Sequence, residues 1–227
     1  MLIQSRNSSG NNVFGMIDTG YTTKGSRVVS YLKNMGIKRL DWVLISHFHN
    51  DHFGALGNIY SSGIKVKNVY IKQYYSMDTN YRSVLSVSSV REFISMNNAR
   101  WNSFMSMVNS NSNVRYVSPG VNDVLKLGNF KFKLYNTSNV FEDVFSRCKE
   151  EASCNENVNS IIALGMVRNR TFYLNADIEN YSGSVTSSYS RRNYVEYMVN
   201  TVMSDNNLSR IDIVKAGHHG WPHNNPQ

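Results

Sequence analysis

Cysteine and unbroken apolar sequence are both scarce in this chain of 227 residues, and each scarcity removes a class of protein. Cys148 and Cys154 are the only cysteines, set in a polar stretch. Their spacing is neither a CxxC redox pair nor a disulfide framework, and a local bridge between them requires an exported chain. No apolar run approaches the length of a transmembrane helix, and the opening residues MLIQSRNSSGNN lack the basic start and apolar stretch of a secretory signal. The expectation is a soluble chain with no membrane span and no signal peptide, either cytoplasmic or excised from an exported or membrane protein. A GxSxG element is also missing, so nothing suggests a serine nucleophile on a strand-to-helix turn.

The length suits one sizeable domain over residues 1–227, able to bury a core without staples. A formal charge of +8 suits an acidic partner such as a phosphodiester, a nucleic acid or an anionic wall polymer, and equally suits ordinary solubility. Lysine and arginine are scattered singly or in pairs, without the block expected of a nucleic-acid tail.

Apolar runs that read as buried strands fall at residues 13–17, 42–46, 66–71, 114–117, 130–135, 160–167, 171–174 and 211–215. Helical patterns occupy about 25–35, 89–108 and 191–203. The short turns VRNR and KLGNF join neighbouring strands as hairpins, which makes mixed sheets the expectation. Helices outside two such sheets would give a four-layer α/β sandwich. The polar segment 136–159 is long for a loop, and reads either as a border of a functional site or as a tolerated insertion.

The six histidines occupy two places, SHFHNDH at 46–52 and GHHGWPH at 217–223. The first follows the strand WVLIS, so His47, His49, Asp51 and His52 leave a strand end in a tight loop. Imidazole with carboxylate suits zinc or a related borderline ion better than calcium or magnesium. Four side chains from one loop crowd a single tetrahedral ion, whereas two ions about 3.5–4 Å apart fit, with His47 and His49 on one and Asp51 and His52 on the other. Further ligands must come from distant sequence, and the candidates are Asp177, His218 and His219. Asp18, in DTGYTTKG, reads either as a turn or helix cap or as support for the histidine loop. Tyr74, Tyr75 and Trp221 would suit a cage for a quaternary ammonium group or plain packing, and Lys72 and His223 an anion contact or solvated surface.

HFHNDH resembles the HxHxDH signature of the metallo-β-lactamase superfamily. MIDTG, NADIE and VKAGHHG are similar to that family's aspartate turn, bridging aspartate and terminal histidine. Within it, LDWVLISHFHNDHFGAL and NSIIALGMVRNRTFYLNADIE look most like the branch that holds the hydrolase domain of the DNA-uptake competence channel and the choline-phosphate esterase modules. The resemblance implies an αββα sandwich and a dinuclear site of His47, His49, Asp51, His52, Asp177 and His219. Zinc is the expected metal, with manganese or iron as alternatives.

It also implies a hydrolase using metal-activated water. Asp51 would orient the nucleophile and His218 would protonate or stabilise the leaving group. A phosphodiester is the expected substrate, a choline-phosphate ester or single-stranded DNA being the two to separate. The alternatives are cleavage of a carboxylic ester, thioester or lactam, or a non-catalytic module binding DNA or wall polymer. No histidine lies between His52 and His218, so the first ion lacks the third imidazole of many family members, with Asn159 at most nearby; weaker occupancy there is expected. Only seven residues follow Gly220, where the family pattern continues, and a truncated or abbreviated end is expected.

Overall fold

The strand that launches the histidine motif is buried on both faces. Arg39–Leu44 (β3) turns Trp42 and Leu44 to one side and Val43 to the other, each 3% exposed or less, with Ile45 fully buried just beyond the strand. A computed structural model describes residues 1–73, 88–118, 123–138, 156–178 and 194–220, with only the backbone helix given for 88–97.

β3 is the centre of a five-stranded sheet. Its neighbours are Leu2–Arg6 (β1), Asn12–Ile17 (β2), Lys65–Ile71 (β4) and Asn113–Tyr116 (β5), in spatial order β1-β2-β3-β4-β5. β1 runs antiparallel to β2, and the other pairs are parallel. The second sheet holds Val124–Leu127 (β6), Phe130–Tyr135 (β7), Ile162–Val167 (β8), Arg170–Leu174 (β9) and Ile213–Lys215 (β10), in order β10-β9-β8-β7-β6. It is antiparallel except for β9 and β10.

The sheets face one another through Trp42, Leu44, Leu125, Phe132, Leu134, Ala163 and Leu174. Helices Gly25–Asn34 (α1), Leu56–Ser61 (α3) and Ser88–Asn109 (α4) cover the outer face of the first sheet with Leu32, Ile59, Phe104 and Val108. Tyr194–Asp205 (α5) covers the outer face of the second with Val195, Met198 and Val202 against Tyr135, Leu164 and Tyr173. This is the αββα sandwich. Burying one large aliphatic side chain contributes about 1.5–3 kcal/mol, against about 1 kcal/mol net for one hydrogen bond, so packing holds the sheets together. The backbone bond between them, Ile161 N–H to Ser46 O at 2.8 Å, fixes their register at one end.

That end is where the parallel strands finish together. Ile17 pairs with Leu44, which sets Asp18 beside the residues following β3. Lys215 pairs with Leu174, which sets Gly217–Gly220 beside Asn175–Asp177. Parallel strands deliver their carboxyl-terminal loops to one edge, and binding groups collect there.

Most expected elements stand within a few residues of their sequence positions, and two differ. The histidine motif is not wholly a loop, because Asn50–Phe53 forms a single helical turn (α2), too short to leave a periodic signal. The strand expected at 211–215 begins at Ile213, since Asp212 is occupied in capping Thr171 of β9. The helix expected from 191 is present from Tyr194, residues 191–193 lying outside the described residues. Tyr74, Tyr75, Trp221, His223, both cysteines and most of segment 136–159 lie outside the described residues.

Candidate metal centre

After β3 the chain alternates its side chains between core and edge. Phe48 is 4% exposed, stacks on Phe53 at a centroid distance of 4.4 Å and meets Phe104 edge-on at 5.4 Å. With Phe48 anchored inward, His47 and His49 turn to the same side, and His47 Nε2 lies 3.0 Å from His49 Nδ1. His49 precedes α2 in extended conformation, and the helical turn then carries Asp51 and His52.

The turn after β2 clamps this segment. Thr19 N–H donates to His52 O, Ala55 N–H to Gly20 O at 2.8 Å, and Thr22 Oγ1 to Gly54 O at 3.0 Å. Gly54 is required for that fit, since a Cβ there would lie 2.3 Å from Asn50 O and 2.7 Å from Thr22 N. Asp18 has φ of +55°, a conformation that aspartate and asparagine tolerate better than most residues. Its carboxylate accepts from Ser46 N–H and Ser46 Oγ, both at 2.8 Å, and from His52 Nδ1 at 2.7 Å. Of the two readings of Asp18, support of the histidine segment is the one the geometry bears.

The second sheet brings the remaining groups. Asp177, 2% exposed, follows β9 through Ala176 at φ +47°, and its N–H donates to Ser160 Oγ at 3.2 Å. His218 N–H donates to Ala176 O at 2.9 Å, tying the terminal histidine turn to the aspartate turn. His218 and His219 both hold positive φ, 43° and 55°. Consecutive non-glycine residues in that region are strained and persist only where surroundings fix them. The turn sends His219 Nε2 to 2.9 Å from Asp51 Oδ2 and 3.3 Å from Asp177 Oδ2. His52 Nε2 sits 3.1 Å from the same Asp177 oxygen and 3.5 Å from Asp51 Oδ2.

One donor atom from each of Asp51, His52, Asp177 and His219 therefore falls within 4.8 Å of the others. His218 is not in that group; its ring centroid is 6.0 Å from that of His219. His47 and His49 form a neighbouring pair, with the His47 and His52 ring centroids 4.0 Å apart. A cavity of about 320 Å³ opens beside Asp51, His52 and His219, floored by Ile161, Ala163 and Leu174.

The electrostatics suit a cation. Burial, and secondarily the neighbouring histidines, hold His47 well below its usual pKa, so it stays neutral with a lone pair to offer. Burial also lowers His49, against the pull of Asp51 and a hydrogen bond with the Asn157 side chain. His52 goes the other way: burial opposes its charge, but hydrogen bonds to Asp177, Asp18 and Asp51 outweigh it and raise the pKa to about 11. A hydrogen bond with His52 holds Asp51 below the usual carboxylate range. Asp177 is also lowered, burial working against it and His52 prevailing. In the metal-free protein a proton on His52 thus supplies the positive charge that the carboxylates demand.

The residues fit a divalent ion on two counts. Asp177 Oδ1 is buried and takes no hydrogen bond among the described residues, an arrangement that costs about 1–3 kcal/mol unless something positive meets it. The set also mixes imidazole nitrogens with carboxylate oxygens, the donors that zinc and its neighbours prefer. Sequence reasoning did not find Ser46, Ser160 or Asn157. It placed Asn159 at most near the first ion; Asn159 is buried, and the Asn157 side chain hydrogen-bonds His49. Lys72, read as an anion contact or surface residue, donates to Ser138 O at 2.9 Å.

The family model of the metallo-beta-lactamase superfamily matches residues 2–118, more than half of the chain. No curated protein matches it. Among solved structures, the metallo-beta-lactamase MIM-1 from Novosphingobium pentaromativorans is 14% identical, with a TM-score of 0.45 over 99% of this chain and 76% of that one. A B3 metallo-beta-lactamase with an active-site glutamic acid is 10% identical, with a TM-score of 0.49 over 96% of this chain and 72% of its own. Zinc-bound PqqB from Methylobacterium extorquens is 9% identical, with a TM-score of 0.38 over 76% of this chain and 47% of its own. On the strength of the family match, and with the sandwich already described, the chain belongs to the metallo-beta-lactamase superfamily and has that family's hydrolase fold.

Proposed function

We propose that the protein is a two-metal phosphodiesterase. His47 and His49 would hold one ion and Asp51, His52 and His219 the other, with Asp177 available to both. The observation that carries this reading is the convergence of Asp51, His52, Asp177 and His219 from opposite sheets, beside the His47 and His49 pair. Zinc suits the donors best, with manganese or iron as alternatives.

When bound there, two divalent ions would supply a water with its pKa lowered toward about 7 and a positive charge to offset that of a phosphoryl oxygen. The protein's own groups do the rest. Asp51 orients the attacking water by accepting its hydrogen bond. His218, outside the donor group and next to it, gives a proton to the departing oxygen. The preference for a phosphodiester is supported by the charge of +8 and by the resemblance of LDWVLISHFHNDHFGAL to the competence and choline-phosphate esterase branch.

Turnover of a chromogenic phosphodiester should be abolished by a chelator and by His49→Ala, and restored to the wild-type protein by zinc. The same assay run with choline-phosphate, single-stranded DNA, lactone, thioester and lactam substrates separates the rivals. Faster cleavage of a carboxylic substrate would move the protein to acyl chemistry. Metal uptake with binding of DNA or wall polymer but no turnover would make it a binding module.

A further inference from the structure

We infer that the Ser46 hydroxyl is a positioning group that fixes which nitrogen of His47 carries its proton, turning the other toward His49. The consequence for metal binding rests on the two-metal reading above; the tautomer itself does not.

The residue sits at a crossing of five contacts with four residues. Ser46 is 1% exposed, and its Oγ lies 2.8 Å from Asp18 Oδ2, 3.1 Å from His47 Nδ1 and 3.3 Å from His52 Nδ1. Its backbone N–H donates to Asp18 Oδ1 at 2.8 Å, and its carbonyl accepts from Ile161 at 2.8 Å, so the residue cannot turn away. A hydroxyl has one proton to give and lone pairs to receive with. An ionised carboxylate only accepts, so the proton of Ser46 goes to Asp18 Oδ2. His52 Nδ1, closer to Asp18 at 2.7 Å than to Ser46, donates to the same carboxylate. What remains on Ser46 Oγ is acceptor capacity facing His47 Nδ1, and that nitrogen therefore carries the hydrogen.

His47 is buried, and a neutral imidazole carries one ring proton and one lone pair. With that proton on Nδ1, its Nε2 lone pair points at His49 Nδ1, 3.0 Å away. The two nitrogens then require something between them, either a proton on His49 Nδ1 or a cation. The chain of command runs Asp18 to Ser46 to His47, and Asp18 directly to His52. One carboxylate thus sets the metal-facing nitrogen of a histidine in each half of the centre. Partners of this kind typically change metal affinity by about 10–100-fold when removed.

Long-range proton–nitrogen correlation spectra of the metal-free protein test this directly. In the wild type the His47 proton should appear on Nδ1. Asp18→Asn is the decisive variant, since asparagine is isosteric and tolerates positive φ. Its oxygen must keep the Ser46 N–H, so its amide donates to Ser46 Oγ. The serine proton is then released toward His47 Nδ1, and the imidazole proton moves to Nε2. Ser46→Ala removes the acceptor, and should likewise shift His47 toward Nε2–H.

A wild-type His47 protonated on Nε2 would overturn the inference even if neither variant folds. So would an Nδ1 proton that persists in both variants. Cobalt titration supplies the second readout: both variants should weaken the ion at His47 and His49 about 10–100-fold. A wild-type protein with the expected tautomer that binds no divalent ion would refute the two-metal reading and leave the role of Ser46 intact.

Discussion

His219 Nε2 lies 2.9 Å from Asp51 Oδ2, although the two residues are separated by 168 positions and belong to different sheets. The contact exists because β3 and β10 end at the same edge of the sandwich. It also divides the histidine doublet: His219 Nε2 reaches both carboxylates, while the His218 ring centroid lies 6.0 Å from that of His219.

That division predicts different losses. His219→Ala should remove one imidazole from the cobalt absorption spectrum and abolish turnover. His218→Ala should leave the spectrum and stoichiometry near wild type, and lower kcat by roughly 10²–10⁴-fold, the span of general acid catalysis. A spectrum changed by His218→Ala and untouched by His219→Ala would reverse the assignment.

His52 gives the centre its pH dependence. Its folded pKa of about 11 is above the ordinary 6.5, so its ion pairs stabilise the metal-free protein fully below about pH 6.5 and are lost as pH rises through about 11. Metal uptake would work in the opposite sense, because an ion bound at His52 Nε2 would have to displace a proton. Chelated protein should melt at progressively lower temperature as pH is raised from 7 toward 11. Zinc affinity should rise over the same interval, with protons released into a weak buffer. Flat melting behaviour in His52-intact, metal-free protein would count against this account.

Gly54 tests whether the clamp on α2 matters to the centre. A methyl group there meets backbone atoms of Asn50 and Thr22, neither of which can swing away. Gly54→Ala should displace the turn bearing Asp51 and His52, and weaken zinc by tenfold or more, on the order of the loss of an outer-sphere partner. Calorimetric titration of the variant against wild type measures it. Unchanged affinity would show that the turn tolerates the shift.

Trp42 probes the fold apart from the chemistry. It is 3% exposed, meets Phe132 edge-on at 5.8 Å, and donates from Nε1 to Lys126 O at 3.0 Å. Trp42→Ala should cost about 3–5 kcal/mol in denaturant unfolding, from the cavity and the stranded carbonyl, with the zinc stoichiometry of the folded fraction retained.

Much of this architecture was legible in the sequence, for reasons that differ between residues. The strand 130–135 and the runs around β3, β4 and β8 stand out because burial on both faces demands continuous apolar sequence. His47, His49, Asp51 and His52 were conspicuous through spacing, and Asp177 and His219 through resemblance to a family whose loops lie at fixed places along the chain. Ser46 was invisible as a positioning group, because a serine before a histidine carries no signal until Asp18 is brought to it across two strands. That Asn157 meets His49 depends on which way a single 3₁₀ turn faces, and sequence spacing cannot decide that.

Zinc titration of metal-free protein, wild type beside Asp177→Ala, tests the central claim most directly. Two ions per chain of unequal affinity are expected, the weaker at His47 and His49, where no third imidazole is supplied. Losing the shared carboxylate of Asp177 should weaken both by more than about 100-fold, beyond the range of outer partners. A wild-type protein that takes up no divalent ion, or an Asp177→Ala protein that binds as the wild type does, would contradict it.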